Sequence, residues 1–123
     1  MAGQKILVVE DNNVNLRALE ATLQKAGYTV VSFKNGEEAI QKVRDIRPDL
    51  ILLDIKLPGI NGTEVGAKLK TYPETAHIPI FYITGLLDKE EEAELQHSLL
   101  GNYFIAKPFD PIKLLKAIKD RIG

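Results

Sequence analysis

Five times along the chain a short apolar run of strand character alternates with a segment of helical spacing or turn residues, and this constrains the fold more than anything else in the sequence. Such alternation argues for a parallel sheet covered by helices on both faces. Lys5 to Glu10 reads as the first strand, Thr29 to Phe33 as the second and Asp49 to Asp54 as the third. Ile78 to Thr84 and Tyr103 to Ala106 complete the set. Between them, Leu16, Leu19, Leu23 and Ala26 recur at helical spacing, and Gly27 is placed to take the left-handed conformation that ends a helix. A second helix is predicted over Glu37 to Arg47, with Ile40, Val43 and Ile46 on one side and Pro48 as its stop. The turn formers of Leu57-Pro58-Gly59-Ile60-Asn61-Gly62 predict a loop before a helix around Thr63 to Thr71. Asp88 to Leu99 carries the weakest helical pattern, because Lys89-Glu90-Glu91-Glu92 is all polar and only Ala93, Leu95 and Leu99 suggest a buried stripe. The last helix is signalled by Asp110 as cap, Pro111 at the first helical position and a stripe of Leu115, Ile118 and Ile122.

A chain of 123 residues predicts one domain spanning residues 1–123, with a single substantial core. Sixteen basic against 17 acidic residues leave a formal net charge of −1, so no global field favours nucleic acid or an anionic membrane. The absence of cysteine excludes thiolate catalysis, disulfide staples and cysteine-ligated zinc. His77 and His97 are far apart and read as ordinary surface or loop residues. There is neither the pattern of a secretory signal nor a membrane span, so a cytoplasmic location is expected.

The strands are most informative where they stop. Ile6-Leu7-Val8-Val9 ends in Glu10-Asp11, the buried run of the third strand ends in Asp54, the fourth ends in Thr84, and the fifth is followed by Lys107. In an open α/β sheet, ligands bind beyond the carboxyl ends of the strands, which brings these five side chains toward one site. Three carboxylates held close together repel one another, and a hard cation relieves that repulsion. Oxygen donors without nearby cysteine or histidine favour Mg²⁺, with Mn²⁺ as the alternative, over zinc. A hydroxyl and an ammonium beside such a cation match a phosphoryl group, whose charge is spread over three oxygens during transfer. A carboxylate can itself be the nucleophile, and Asp54 is the candidate because it alone ends the central buried strand. Singly, each residue also has an ordinary role: Glu10-Asp11 favours the start of a helix, Thr84 satisfies a local backbone group, and Lys107 lies along the surface. Their conjunction favours the chemical reading.

These residues resemble the response-regulator receiver domains of two-component signalling, the CheY-like family. The resemblance runs from Lys5 to the final helix and is carried by Val8-Val9-Glu10-Asp11-Asn12, Leu53-Asp54-Ile55-Lys56-Leu57-Pro58 with Gly62, Ile83-Thr84-Gly85 and Lys107-Pro108-Phe109. It implies a (βα)5 doubly wound five-stranded parallel sheet of flavodoxin-like order 2-1-3-4-5. It also implies roles. Asp54 would be the phosphoacceptor, Asp11 a direct Mg²⁺ ligand, Glu10 a ligand through water and the Lys56 main-chain carbonyl a further ligand. Thr84 would hold a phosphoryl oxygen and Lys107 would pair with the phosphoryl group. Phe104, three positions before that lysine, would follow the movement of Thr84 as a switch residue, and a static core residue is its plainer reading. The Lys107-Pro108 bond would be cis, and Lys56 and Leu86 would flank the route of an attacking water.

The implied partners are a sensor histidine kinase or a histidine phosphotransfer protein, and a downstream protein engaged through the predicted fourth helix, the fifth strand and the last helix. Neither direct nucleic-acid binding nor membrane binding is expected. The start Glu10-Asp11-Asn12-Asn13-Val14-Asn15 looks more like receivers of phosphorelays, hybrid kinases and free-standing regulators than those joined to DNA-binding domains. A fragment of a hybrid kinase or transcription factor is the alternative organisation. An aspartate-dependent phosphohydrolase is the rival enzyme, but such enzymes use a second aspartate where this chain has Lys56. A nucleotide- or flavin-binding module would want glycines where the chain has Glu10-Asp11-Asn12-Asn13.

Overall fold

The computed structural model describes residues 4–85, 103–107 and 109–123, with the side chains of Thr84, Tyr103, Phe104 and Ala106 outside that description. Its elements run β1 (Lys5–Val9), α1 (Asn13–Lys25), β2 (Thr29–Phe33), α2 (Gly36–Ile46), β3 (Leu50–Asp54), α3 (Gly62–Lys70), β4 (Ile80–Thr84), β5 (Tyr103–Ala106) and α4 (Pro111–Ile122). The predicted helix over Asp88 to Leu99, with His97, lies outside the described residues, as do Leu86 and the Lys107-Pro108 bond. All four strand pairings are parallel, in the order β2-β1-β3-β4-β5 expected from the resemblance.

Period-two alternation along the strands feeds two separate cores. Leu7, Val9, Ile51, Leu53, Ile80 and Tyr82 face α2 and α3, where Ala39, Val43, Val65 and Leu69 cover them. Ile6, Val8, Leu50, Leu52, Phe81 and Ile83 face the other way, onto Leu16, Leu19 and Leu23 of α1 and Leu114 and Ile118 of α4. β3 is buried on both faces along its whole length, which is why it reads as an uninterrupted apolar run. Each fully buried aliphatic side chain contributes about 1.5–3 kcal/mol.

The helices begin where side chains cap them. Asn12, Asn35 and Asn61 accept backbone N–H bonds from Asn15, Glu38 and Glu64, and Asp110 accepts from Ile112 and Lys113. Each such cap contributes about 1 kcal/mol. Gly27 does adopt a positive φ of 99° after α1. α2 stops one residue earlier than expected, with Arg47 in the left-handed conformation at φ 51° just before Pro48.

Two apolar stripes are rotated by one position from the sequence reading. On α2 the buried residues are Gly36, Ala39 and Val43, with Ile40 and Ile46 only half-buried at its flanks. On α4 Leu114 and Ile118 are buried, and Leu115 and Ile122 pack against them from the edge. A small residue such as Ala39 brings the helix axis close to the sheet, and the larger neighbours then cover the margin. The expected fourth strand starts two residues late, at Ile80, and the third starts at Leu50 rather than Asp49, whose carboxylate accepts the Lys5 backbone N–H at 2.7 Å.

Candidate functional site

Strand register builds the centre of the site. Ile6 pairs with Leu50 and Val8 with Leu52, so continuing both strands by one period sets Glu10 beside Asp54 on the α1 and α4 side of the sheet. Both carboxylates are buried, at 1% and 4% exposure, at the carboxyl end of an otherwise apolar layer. Asp11 follows Glu10 into solvent. One carboxylate oxygen from each of Glu10, Asp11 and Asp54 lies within 4.8 Å of the others.

Lys107, just beyond β5, reaches across this end of the sheet. Its Nζ lies 2.5 Å from Glu10 Oε1 and 3.1 Å from Asp54 Oδ2, with 18% of its side chain exposed. Among the described residues the remaining donors are main-chain: Asn12 N–H donates to Glu10 Oε2 at 3.2 Å and Lys56 N–H to Asp54 Oδ1 at 3.3 Å. Burial, reinforced by the neighbouring Asp54, pushes the Glu10 carboxyl above its ordinary pKa despite Lys107 and the Asn12 N–H. Burial alone would depress the Lys107 ammonium, but bonds to Glu10 and Asp54 outweigh it and raise its pKa.

Among the described residues, three carboxylates against one ammonium leave two formal negative charges, and the candidate ligand atoms are all oxygen. That donor set and that residual charge fit a hard divalent cation. The Lys107 ammonium donates to Asp54 Oδ2 at 3.1 Å, which orients a carboxylate that could act as a nucleophile.

The local backbone holds Asp54 firmly. Gly62, the first residue of α3, packs so closely on the end of β3 that a Cβ there would collide with the Asp54 carbonyl oxygen and lie 2.7 Å from Ile55 Cα. Its N–H donates to the Ile55 carbonyl at 2.8 Å. Glu37 at the start of α2 ties down the intervening loop by accepting the Ile60 N–H at 3.3 Å. The sequence reading named Gly62 as a turn former and, with Asn12, as part of the motifs that carry the resemblance, but gave neither of them, nor Glu37, a role in the site. The asparagine three residues before Asn15 was the available signal for the cap.

Glu10, Asp11, Asp54 and Lys107 are therefore brought together as expected. Lys56 is present through its N–H, and its side chain is exposed. Thr84 stands at the same end of the sheet, one residue past Ile83, which pairs with Asp54. Phe104 pairs with Tyr82 at the backbone. The side chains of Thr84 and Phe104 lie outside the described residues.

Known proteins resemble this chain in sequence and in fold. Residues 6–119 match the family model of the response regulator receiver domain. The polar-differentiation response regulator DivK of Brucella anthropi is 34% identical over 120 residues, covering 98% of this chain and 97% of that protein. Among solved structures, a putative response regulator from Chloroflexus aurantiacus superposes with a TM-score of 0.88 at 30% identity, over 98% of both chains. The receiver domain of a Pseudomonas aeruginosa sensor histidine kinase, solved with a magnesium ion coordinated in its active-site cleft, gives a TM-score of 0.85 at 30% identity, over 99% of both chains. Family model, full-length relatives and fold agree: the chain belongs to the response regulator receiver domains of two-component signalling.

Proposed function

We propose that Asp54 accepts a phosphoryl group from a phosphohistidine and that the aspartyl phosphate switches a protein-interaction face. The observation that carries this reading is the buried Asp54 carboxylate, 4% exposed, at the tip of the central strand with the Lys107 ammonium 3.1 Å away. An Asp54 oxygen attacks phosphorus, the phosphorus–nitrogen bond of the donor breaks, and the imidazole leaves and takes up a proton. Lys107 neutralises a phosphoryl oxygen, exchanging part of its pairing with Asp54 for the new group. The Thr84 hydroxyl holds another, and Phe104 follows Thr84. Glu10, Asp11, Asp54 and the Lys56 carbonyl would hold Mg²⁺ or Mn²⁺, which supplies charge neutralisation to the phosphoryl oxygens when bound.

Receiver domains take their phosphoryl groups from histidine kinases or phosphotransfer proteins. The partners proposed for this chain are of that kind, with a downstream protein engaged through the face that includes β5 and α4. Hydrolysis of the aspartyl phosphate by the domain itself would reset the switch, and the whole cycle would run in the cytoplasm. Likeness to DivK supports a free-standing regulator. Likeness to a receiver within a sensor histidine kinase supports a second organisation, in which the domain works inside a longer protein.

The test is phosphorylation by acetyl phosphate, followed by phosphate-affinity electrophoresis. Wild type should be labelled only with Mg²⁺ or Mn²⁺ present, and Asp54→Asn should not be labelled. Labelling of Asp54→Asn at the wild-type rate would overturn the assignment.

A further inference from the structure

At the opposite end of β4 from Thr84, the structure opens a second cleft, of about 600 Å³. Its position follows from the helical repeat of α4. Leu114 and Ile118 turn into the core, and the stripe beside them, Lys113, Lys116, Ala117, Asp120 and Arg121, lines the cleft. The facing wall comes from the end of α3 and the approach to β4, where Lys70 is pinned by donating to the carbonyls of Ala76 at 3.1 Å and Ile78 at 3.5 Å. Pro79, Ile80 and Phe81 supply apolar lining between the walls.

Among the described residues lining the cavity, four cations, Lys70, Lys113, Lys116 and Arg121, stand with the His77 imidazole and a single acid, Asp120. Among the described residues no carboxylate lies in an ion pair with any of the four. The excess positive charge is felt within the cleft: burial depresses the Lys70 ammonium, and the Arg121 charge depresses it further.

The volume lies in the roughly 300–1,000 Å³ range of small-molecule sites, and the combination of apolar lining with a few convergent charged groups is how such sites are built. Guanidinium and ammonium donors together suit phosphate oxygens. We propose that this cleft is a second ligand site, separate from Asp54, for a small organic phosphate such as a nucleotide. The cations bind its phosphate, and the apolar lining between Pro79 and Ala117 covers its base. Concavity and size favour this class over an acidic protein face, which would need a broad open surface.

The test is titration of ¹⁵N-labelled protein with adenosine 5′-monophosphate, guanosine 5′-monophosphate and inorganic phosphate, read by amide chemical shifts. Saturable shifts are expected at residues 70–81 and 113–121, with at least one nucleotide binding about tenfold more tightly than inorganic phosphate because the lining buries its base. The double variant Lys113→Gln with Lys116→Gln should bind that nucleotide about tenfold or more weakly while keeping a folded, dispersed spectrum. Asp54→Asn should bind it as wild type does, which separates this site from the phosphoacceptor. Four results would overturn the proposal: no saturable shift at millimolar nucleotide, shifts centred on Asp54, inorganic phosphate binding as tightly as the tighter of the two nucleotides, or unchanged binding by the double variant.

Discussion

Replacing Lys107 by methionine removes the ammonium and keeps a side chain of similar length, leaving Glu10 and Asp54 as neighbouring carboxylates at 1% and 4% exposure. Removing one partner of a fully buried pair costs about 3–5 kcal/mol. Lys107 keeps 18% of its side chain exposed, so water and relaxation bring the cost toward the lower end. Protonation sets a ceiling as well. Glu10 can take up a proton instead of remaining charged, at about 1.4 kcal/mol for each pH unit above its ordinary value of 4.5. Near pH ~7 that ceiling is about 3 kcal/mol, so Lys107→Met should lose about 2–3 kcal/mol in the presence of a chelator. The loss should shrink as the pH falls toward the ordinary carboxylate range, and Mg²⁺ should restore part of it by supplying the missing positive charge. Urea unfolding of both proteins at neutral and acidic pH, with chelator or with Mg²⁺, measures all three effects. A loss below about 0.5 kcal/mol, in the range of an ordinary surface substitution, would refute this electrostatic picture. So would an equal loss at both pH values.

Gly62→Ala should destabilise the fold by about 1–3 kcal/mol and slow phosphorylation in parallel, because its Cβ meets the Asp54 and Ile55 backbone rather than a movable side chain; chemical unfolding and an acetyl phosphate time course measure the two together. At Gly66 the nearest obstacle to a Cβ is the Tyr82 hydroxyl, so Gly66→Ala should cost about 1–3 kcal/mol alone and much less combined with Tyr82→Phe, a coupling that a double-mutant cycle detects. Glu10 has a folded pKa raised above 4.5, so the folded state binds its proton more tightly and stability should fall as pH rises from 4.5 through the folded value. Glu10→Gln should flatten that slope in chelator. Lys107 is raised above 10.5, so its stabilisation is fully present below 10.5 and lost as pH rises through its folded value, a fall that Lys107→Met should lack.

The central strand was legible because burial on both faces leaves no room for polar residues: β3 reads as a continuous apolar run, and its terminal aspartate stands out for the same reason. Helix faces were legible only to within a residue. Ile40 and Ile46 look like core by size, yet the shorter Ala39 is the fully buried residue because it lets α2 lie close to β1 and β2. The convergence of Glu10, Asp54 and Lys107 was anticipated from where their strands end. The resemblance paired Lys107 with a phosphoryl group, and its pairing with Glu10 emerged only from side-chain geometry across two non-adjacent strands. Gly62 and Gly66 show the same limit: each reads locally as a flexible or small residue, whereas its constraint is contact with an atom far away in sequence.

The measurement that tests the central claim most directly is mapping of the phosphorylated residue after brief treatment with acetyl phosphate and Mg²⁺, using borohydride to reduce the acyl phosphate before peptide mass analysis. Reduction should convert Asp54 alone, in the peptide that contains Leu53-Asp54-Ile55, and should not occur when a chelator replaces the metal. Conversion at Glu10 or Asp11, or modification of Asp54 to the same extent without a divalent cation, would contradict the account.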